Sequence, residues 1–129
     1  MVRQIPPDEL QSVWPQIREG LEEVKRKCGE TWIPEDVYTA IKIGTSSLHM
    51  LSDGGFLVLT PKREEHTNRP ILHVWIGHTQ GNDYLEGEEY LDTLCKQYGF
   101  AKVTQISARR GWERRGWKPA RIMYEREVK

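Results

Sequence analysis

Between Ile71 and Ala108 the hydrophobic period changes twice, and no other stretch constrains the fold as much. Ile71–His78 (ILHVWIGH) predicts a strand. Residues 82–98 return to helical spacing, with Leu85, Leu91, Leu94, Cys95 and Tyr98 on one stripe and Gly99 as the stop. Gly87 lies inside that pattern at a cost of about 1 kcal/mol against alanine. Lys102–Ala108 predicts a second strand. A strand, helix and strand joined in this way form a right-handed crossover that sets the two strands parallel.

The chain upstream fits a sheet that grows toward this unit. Val2–Ile5 predicts a short strand before the Pro6-Pro7 break. Apolar residues at 10, 13, 14, 17, 21, 24 and 28 predict a helix that Gly29 ends, with Pro15 as its start or as a kink. Pro34 suits the first position of a second helix, with Glu35 and Asp36 in its first turn, Val37, Tyr38 and Ile41 inward and Gly44 as the stop. Ser47–Ser52 and Phe56–Thr60 predict two strands around Asp53-Gly54, a dipeptide favoured where both turn residues need positive φ. Phe56–Thr60 is apolar at both parities, as expected of a central strand. Residues 61–70 predict a polar loop. After the crossover, Arg109–Arg115 is long enough for two helical turns, and Lys118–Val128 alternates as a last strand with Ala120, Ile122 and Tyr124 on one side. The expected order is (β)ααβββαβαβ, a mixed α/β sheet with helices on both faces, antiparallel strands first and a parallel pair after them.

Length and charge narrow the function classes. At 129 residues the chain is expected to be one domain, 1–129, large enough to hold a core without metal or disulfide help. Nineteen basic and nineteen acidic residues balance, which excludes a generally basic nucleic-acid coat. The balance hides an asymmetry: residues 1–100 carry 10 basic and 16 acidic side chains, residues 101–129 carry 9 and 3. Either the positive end meets an anionic partner or the two parts pair across the fold. No apolar run is long enough for a membrane span, and the N-terminus lacks an apolar leader, so a cytoplasmic protein is expected. Cys28 and Cys95 lie in helical patterns and are expected as buried thiols. The four histidines are scattered and no Cys/His pair has zinc spacing, so no metal is expected. Ser46-Ser47 makes no nucleophile motif with them.

With its element order, Gly99-Phe100 closing the long helix, the strand KVTQISA, and Gly116-Trp117-Lys118-Pro119 before a segment ending Ile122-Met123-Tyr124-Glu125, the chain resembles the GCN5-related N-acetyltransferase (GNAT) superfamily over essentially its whole length. Its wording, with VWP near the start and RRGWERRGW near the end, looks like small phage and prophage members. The resemblance implies a protein that moves an acetyl group from acetyl-CoA to an amine. Strands 71–78 and 102–108 would splay to receive the pantetheine arm, and the loop after the first would take the diphosphate at the start of the helix, where free amides and the helix dipole favour negative charge. Cofactor contacts would come from Ile76, Gly77, Gln80, Gly81 and Asn82, with Arg109 and Arg110 reaching a phosphate.

The chain departs from that pattern in two places. The family loop reads Arg/Gln-x-x-Gly-x-Gly/Ala; here Gln80 matches, but Asp83 and Leu85 stand at the two small positions. A carboxylate beside a diphosphate costs on the order of 1 to a few kcal/mol. Asn82 or Asp83 also suits a plain helix cap. Trp112 stands where many members carry a tyrosine to protonate the departing thiolate, and indole cannot do that work. Strand 71–78 offers His73 and His78 as general bases; His78, at the strand end and expected on one face with Leu72, Val74 and Ile76, is the better placed.

The segment 109–121 carries six basic residues and two tryptophans, Trp112 and Trp117. Interleaved cations and aromatics suit coenzyme A or a nucleic acid, and equally a short helix anchored in the core. The alternative to an enzyme is therefore a non-catalytic relative of phage or prophage origin that uses this segment on a protein, nucleic acid or other anionic partner. The acceptor amine and any homo-oligomer are left open.

Overall fold

The computed structural model describes residues 1–81, 84–107 and 111–128. A five-stranded sheet runs in the order β1 (Arg3–Ile5), β2 (Ser47–Met50), β3 (Phe56–Arg63), β4 (Pro70–His78) and β5 (Lys102–Gln105). β1 to β4 are antiparallel neighbours, and β5 joins β4 in parallel. Helices α1 (Leu10–Cys28) and α2 (Pro34–Ile43) connect β1 to β2, and α3 (Leu85–Tyr98) makes the crossover from β4 to β5. This is the mixed α/β architecture expected from the hydrophobic periods.

β3 is the spine because its alternation feeds two cores. Phe56 and Val58 point to one side, where Ile17, Leu21, Val37 and Ile41 of α1 and α2 cover them. Leu57 and Leu59 point to the other, beneath Leu91 and Leu94 of α3. Burying each such side chain contributes roughly 1.5–3 kcal/mol.

α1 runs unbroken through Pro15. Pro15 is exposed and so is Gln11, whose carbonyl loses its helical donor and faces solvent instead of the core. Gly29 at φ +66° and Gly44 at φ +87° terminate α1 and α2 in the left-handed region.

Several expectations are corrected. In the β2–β3 turn only Gly54 has positive φ (+89°); Asp53 does not, and its carboxylate instead accepts the Gly55 N–H at 2.8 Å. α3 starts at Leu85 behind Tyr84 rather than at residue 82, and Leu85 and Tyr98 at its ends are exposed. Residues 118–128 form no strand despite their alternation. A strand needs a ladder, Pro119 lacks a donor, and no strand pairs with this segment, so Ile122, Met123 and Tyr124 stay 67%, 82% and 85% exposed. The expected helix at 109–115 is a short 3-10 turn, Trp112–Arg115, with 108–110 outside the described residues. Cys28 and Cys95 are free and half-buried. Among the described residues no helix is long and apolar enough to cross a membrane.

Candidate functional site

β4 carries one residue too many for β3. Val58 faces Ile76 and Leu59 faces Val74, which leaves Trp75 as an unpaired extra. Such a bulge bends the strand and raises its twist. It also changes the face each later side chain takes. Leu72 and Val74 belong to the α3 core, whereas Trp75 and Ile76 both pack toward α1 and α2. The expectation that His78 shares a face with Leu72 and Val74 is thereby overturned: His78 lies against Phe56 (ring centroids 5.3 Å apart) and Gly20 of α1.

The bulge stands where the parallel ladder ends. β4 and β5 pair from Ile71–Lys102 to Val74–Gln105 and no further. Beyond Val74 the strands diverge, and a cleft of about 330 Å³ opens between Trp75–His78 and Gln105–Ser107. The C-terminal half of α1 supplies one wall through Glu23, Lys27 and Cys28. The first turns of α3 supply the other, with Leu51, Leu57 and Leu91 as an apolar floor.

His78 is 8% exposed and lines this cleft. Its Nε2 lies 4.0 Å from Oε2 of Glu23, and the Gln80 side-chain nitrogen lies 3.4 Å from the same atom. Lys27 donates to the other Glu23 oxygen at 2.8 Å and holds that carboxyl below its ordinary range, with His78 and Arg26 adding to the effect. Glu23 and Gly20 were not legible as site residues. The signal was a glycine inside an apolar helical stripe, which marks close approach. A Cβ on Gly20 would fall 2.5 Å from Cε1 of Phe56 and 3.1 Å from Cδ2 of His78.

Ile76, Gly77 and Gln80 line the cleft. Gly81 does not; it lies one residue on, in the loop. Asn82, Asp83, Arg109 and Arg110 lie outside the described residues. His73, the other candidate base, is half-buried and bridges to the Thr104 hydroxyl at 2.8 Å, tying β4 to β5 away from the cleft. Burial, then Lys62, push its pKa down. Trp112 lines the cleft but donates its indole N–H to Ser107 Oγ at 2.9 Å. Trp117 packs 6.1 Å from Trp112, and Tyr84 lies 5.3 Å from Trp112 on the other side. Tyr84 is the phenol among the described residues that line the cleft. Arg115 sits 5.3 Å over its ring and pairs with Glu88.

The loop after β4 is bound from within. The backbone N–H groups of Gln80 and Gly81 donate to Oδ2 of Asp53 at 3.2 and 3.3 Å. Next to it, Ser52 donates its N–H to Glu86 of α3 at 2.9 Å and its hydroxyl to the same carboxylate. Gln16 of α1 donates to the Gly54 carbonyl at 3.3 Å. The β2–β3 turn is thus a clasp across the β4–α3 connection. Asp53 was legible only as a turn former, because its two amide partners outside the turn are 27 and 28 residues away.

One buried polar cluster lies outside the cleft. His49 of β2 is 2% exposed and bonds Ser47 at 2.7 Å and the Tyr90 hydroxyl of α3. Burial lowers its pKa to about 4. It holds β2 against α3. No group of three or more metal-ligating side chains occurs among the described residues.

No family model matches the sequence, and no curated protein does. Solved structures share its fold. A ribosomal-protein-alanine N-acetyltransferase from Brucella melitensis biovar Abortus is 10% identical, with 99% of each chain covered and a TM-score of 0.68. An acetyltransferase from Trypanosoma brucei is 12% identical, with 99% of each chain covered and a TM-score of 0.66. An aminoglycoside acetyltransferase from an uncultured soil sample, solved with trehalose, is 14% identical, covers 100% of this chain and 96% of its own, and has a TM-score of 0.65. At such identities the likeness is one of architecture: the chain has the fold of the N-acetyltransferases.

Proposed function

We propose that the protein transfers an acetyl group from the thioester of acetyl-CoA to an amine. The observation that carries this reading is the coincidence of the Trp75 bulge with the end of the β4–β5 ladder. Among the described residues it leaves the backbone of Trp75–His78 with no strand partner on the β5 side, next to a deep cleft. Unpaired backbone groups are obligatory hydrogen-bonding sites. An extended amide-bearing arm laid between the strands satisfies them as a strand would. The residues present fit the pantetheine arm, which Ile76, Gly77 and His78 would hold, and bound there the thioester supplies an activated acyl carbonyl.

The chain's own residues supply the rest. His78 takes a proton from the incoming ammonium at Nε2, the atom that faces the Gln80 side chain. Glu23, on the neighbouring helix, holds the resulting imidazolium by charge. Tyr84 carries the phenol that Trp112 lacks and is assigned the return of a proton to the departing sulfur. Leu51, Leu57 and Leu91 keep water from the cleft floor. Orientation within the cleft supplies much of the rate, since aminolysis of a thioester gains chiefly from positioning.

The alternative is a non-catalytic module of the same fold, of phage or prophage origin, binding an anionic partner through 109–121. Arg114, Lys118 and Arg121 are exposed, which suits it. The two tryptophans do not: both are half-buried and line the cleft, where they are not presented to nucleic-acid bases.

Thermal unfolding with millimolar acetyl-CoA separates the two. A ligand at 100 times its Kd stabilises by about 2.7 kcal/mol. The expected result is a rise in Tm, with thiol release when amines are added. No rise and no release overturns the reading, and a salt-sensitive rise with an oligonucleotide alone supports the alternative.

A further inference from the structure

The cleft fits a thioester arm, but the described amides that follow β4 are not open to a diphosphate. Successive backbone amides in a turn bind anions when they are free. Here the amides of Gln80 and Gly81 are already bound to the Asp53 carboxylate, which also takes the Gly55 amide. The first turn of α3 carries two further carboxylates, Glu86 and Glu88, that answer the helix dipole internally. Glu86 is fixed by Ser52, and Glu88 is engaged by Arg115. An added diphosphate would meet three negative side chains, and the amides of Gln80 and Gly81 are already engaged.

Asp53 is a built feature. Gly55 is pressed so close to the end of β4 that a Cβ there would lie 2.2 Å from the His78 carbonyl oxygen, and this approach brings the turn to the loop. One carboxylate then joins three backbone amides from two segments.

We propose that Asp53 is a resident anion of the β4–α3 loop, and that the donor is recognised by its acyl-pantetheine arm rather than by its diphosphate. This rests on the acetyl-transfer reading. The chemical class of donor is an acyl-pantetheine thioester.

The test compares acetyl-CoA with S-acetylpantetheine, which has the arm and no diphosphate, by calorimetry and by Tm shift. The wild-type protein should bind the two with Kd values within about threefold of each other. Asp53→Asn removes the charge while keeping the side chain's shape, and should tighten acetyl-CoA about tenfold, the size expected for one carboxylate–phosphate repulsion at the surface. S-acetylpantetheine should be unchanged in that variant. A wild-type preference for acetyl-CoA of tenfold or more overturns this proposal and leaves the acetyl-transfer reading standing. Binding of neither ligand overturns both. The wild-type comparison decides the matter even if Asp53→Asn fails to fold.

Discussion

Nε2 of His78, at the end of β4, stands 4.0 Å from the Glu23 carboxylate on α1. The contact is possible because Gly20, one turn before Glu23, has no side chain to hold helix and strand apart. It joins the α1 wall of the cleft to the end of β4.

If His78 is the base and Glu23 its counter-charge, the two act as a unit. His78→Gln should lower kcat by about 10²–10⁴-fold, the usual contribution of a positioned base. Glu23→Gln should cost about tenfold, and the double variant should be no slower than His78→Gln alone. Steady-state kinetics on the three variants checks this; additive losses would separate the residues.

Gly20 and Gly87 are both helical glycines, yet they should respond oppositely to alanine. At Gly20 the new methyl meets the Phe56 ring at 2.5 Å, and overpacking of this kind costs about 1–3 kcal/mol. At Gly87 it meets Leu57 at 3.8 Å, an ordinary contact, so the helix-propensity gain of about 0.5–1 kcal/mol survives. Denaturant unfolding should show Gly20→Ala below and Gly87→Ala above wild type.

His49 should make the fold acid-sensitive. Its folded pKa is lowered from 6.5 to about 4 by burial. Between those values the unfolded chain binds more protons than the folded one, so stability falls as pH falls from 6.5 through 4 and levels off below. The loss is at most about 3 kcal/mol. Tyr90→Phe leaves His49 Nδ1 without its partner and should cost about 1–3 kcal/mol at neutral pH. Urea titrations at pH 7, 5.5 and 4 check both; a flat profile would place the proton elsewhere.

Glu64 ties the far end of the sheet, binding Arg69, Thr67 and Lys102, whose hydrogen bonds lower its pKa to about 2. A carboxylate with a lowered pKa stabilises above its ordinary value and loses that effect as pH falls through the folded one. Glu64→Gln should therefore lower Tm at pH 7, and the difference from wild type should vanish near pH 2. A difference that persists there would mean the contribution is packing.

The clasp and the bulge explain how much was readable beforehand. Apolar period located β2 to β4, all three helices and the parallel crossover, because burial selects side chains by spacing along the chain, and Gly29, Gly44 and Gly99 stop the helices by a backbone conformation they adopt cheaply. His78 was legible as a polar residue at a strand end. The same rule failed at Lys118–Val128, where alternation had no strand to pair with. It failed again past Trp75, because parity counts residues and a bulge inserts one without leaving a mark in the pattern.

By itself the amino-acid sequence determined the segments that become β1 to β5 and α1 to α3, their order, and the parallel sense of β4 and β5; these follow from local periodicity and the handedness of the chain. Only the tertiary structure decided which face His78 takes, that Glu23 meets it, and that Asp53 occupies the loop amides. Those are contacts between segments far apart in the chain, fixed by how closely backbones can approach, as at Gly20 and Gly55.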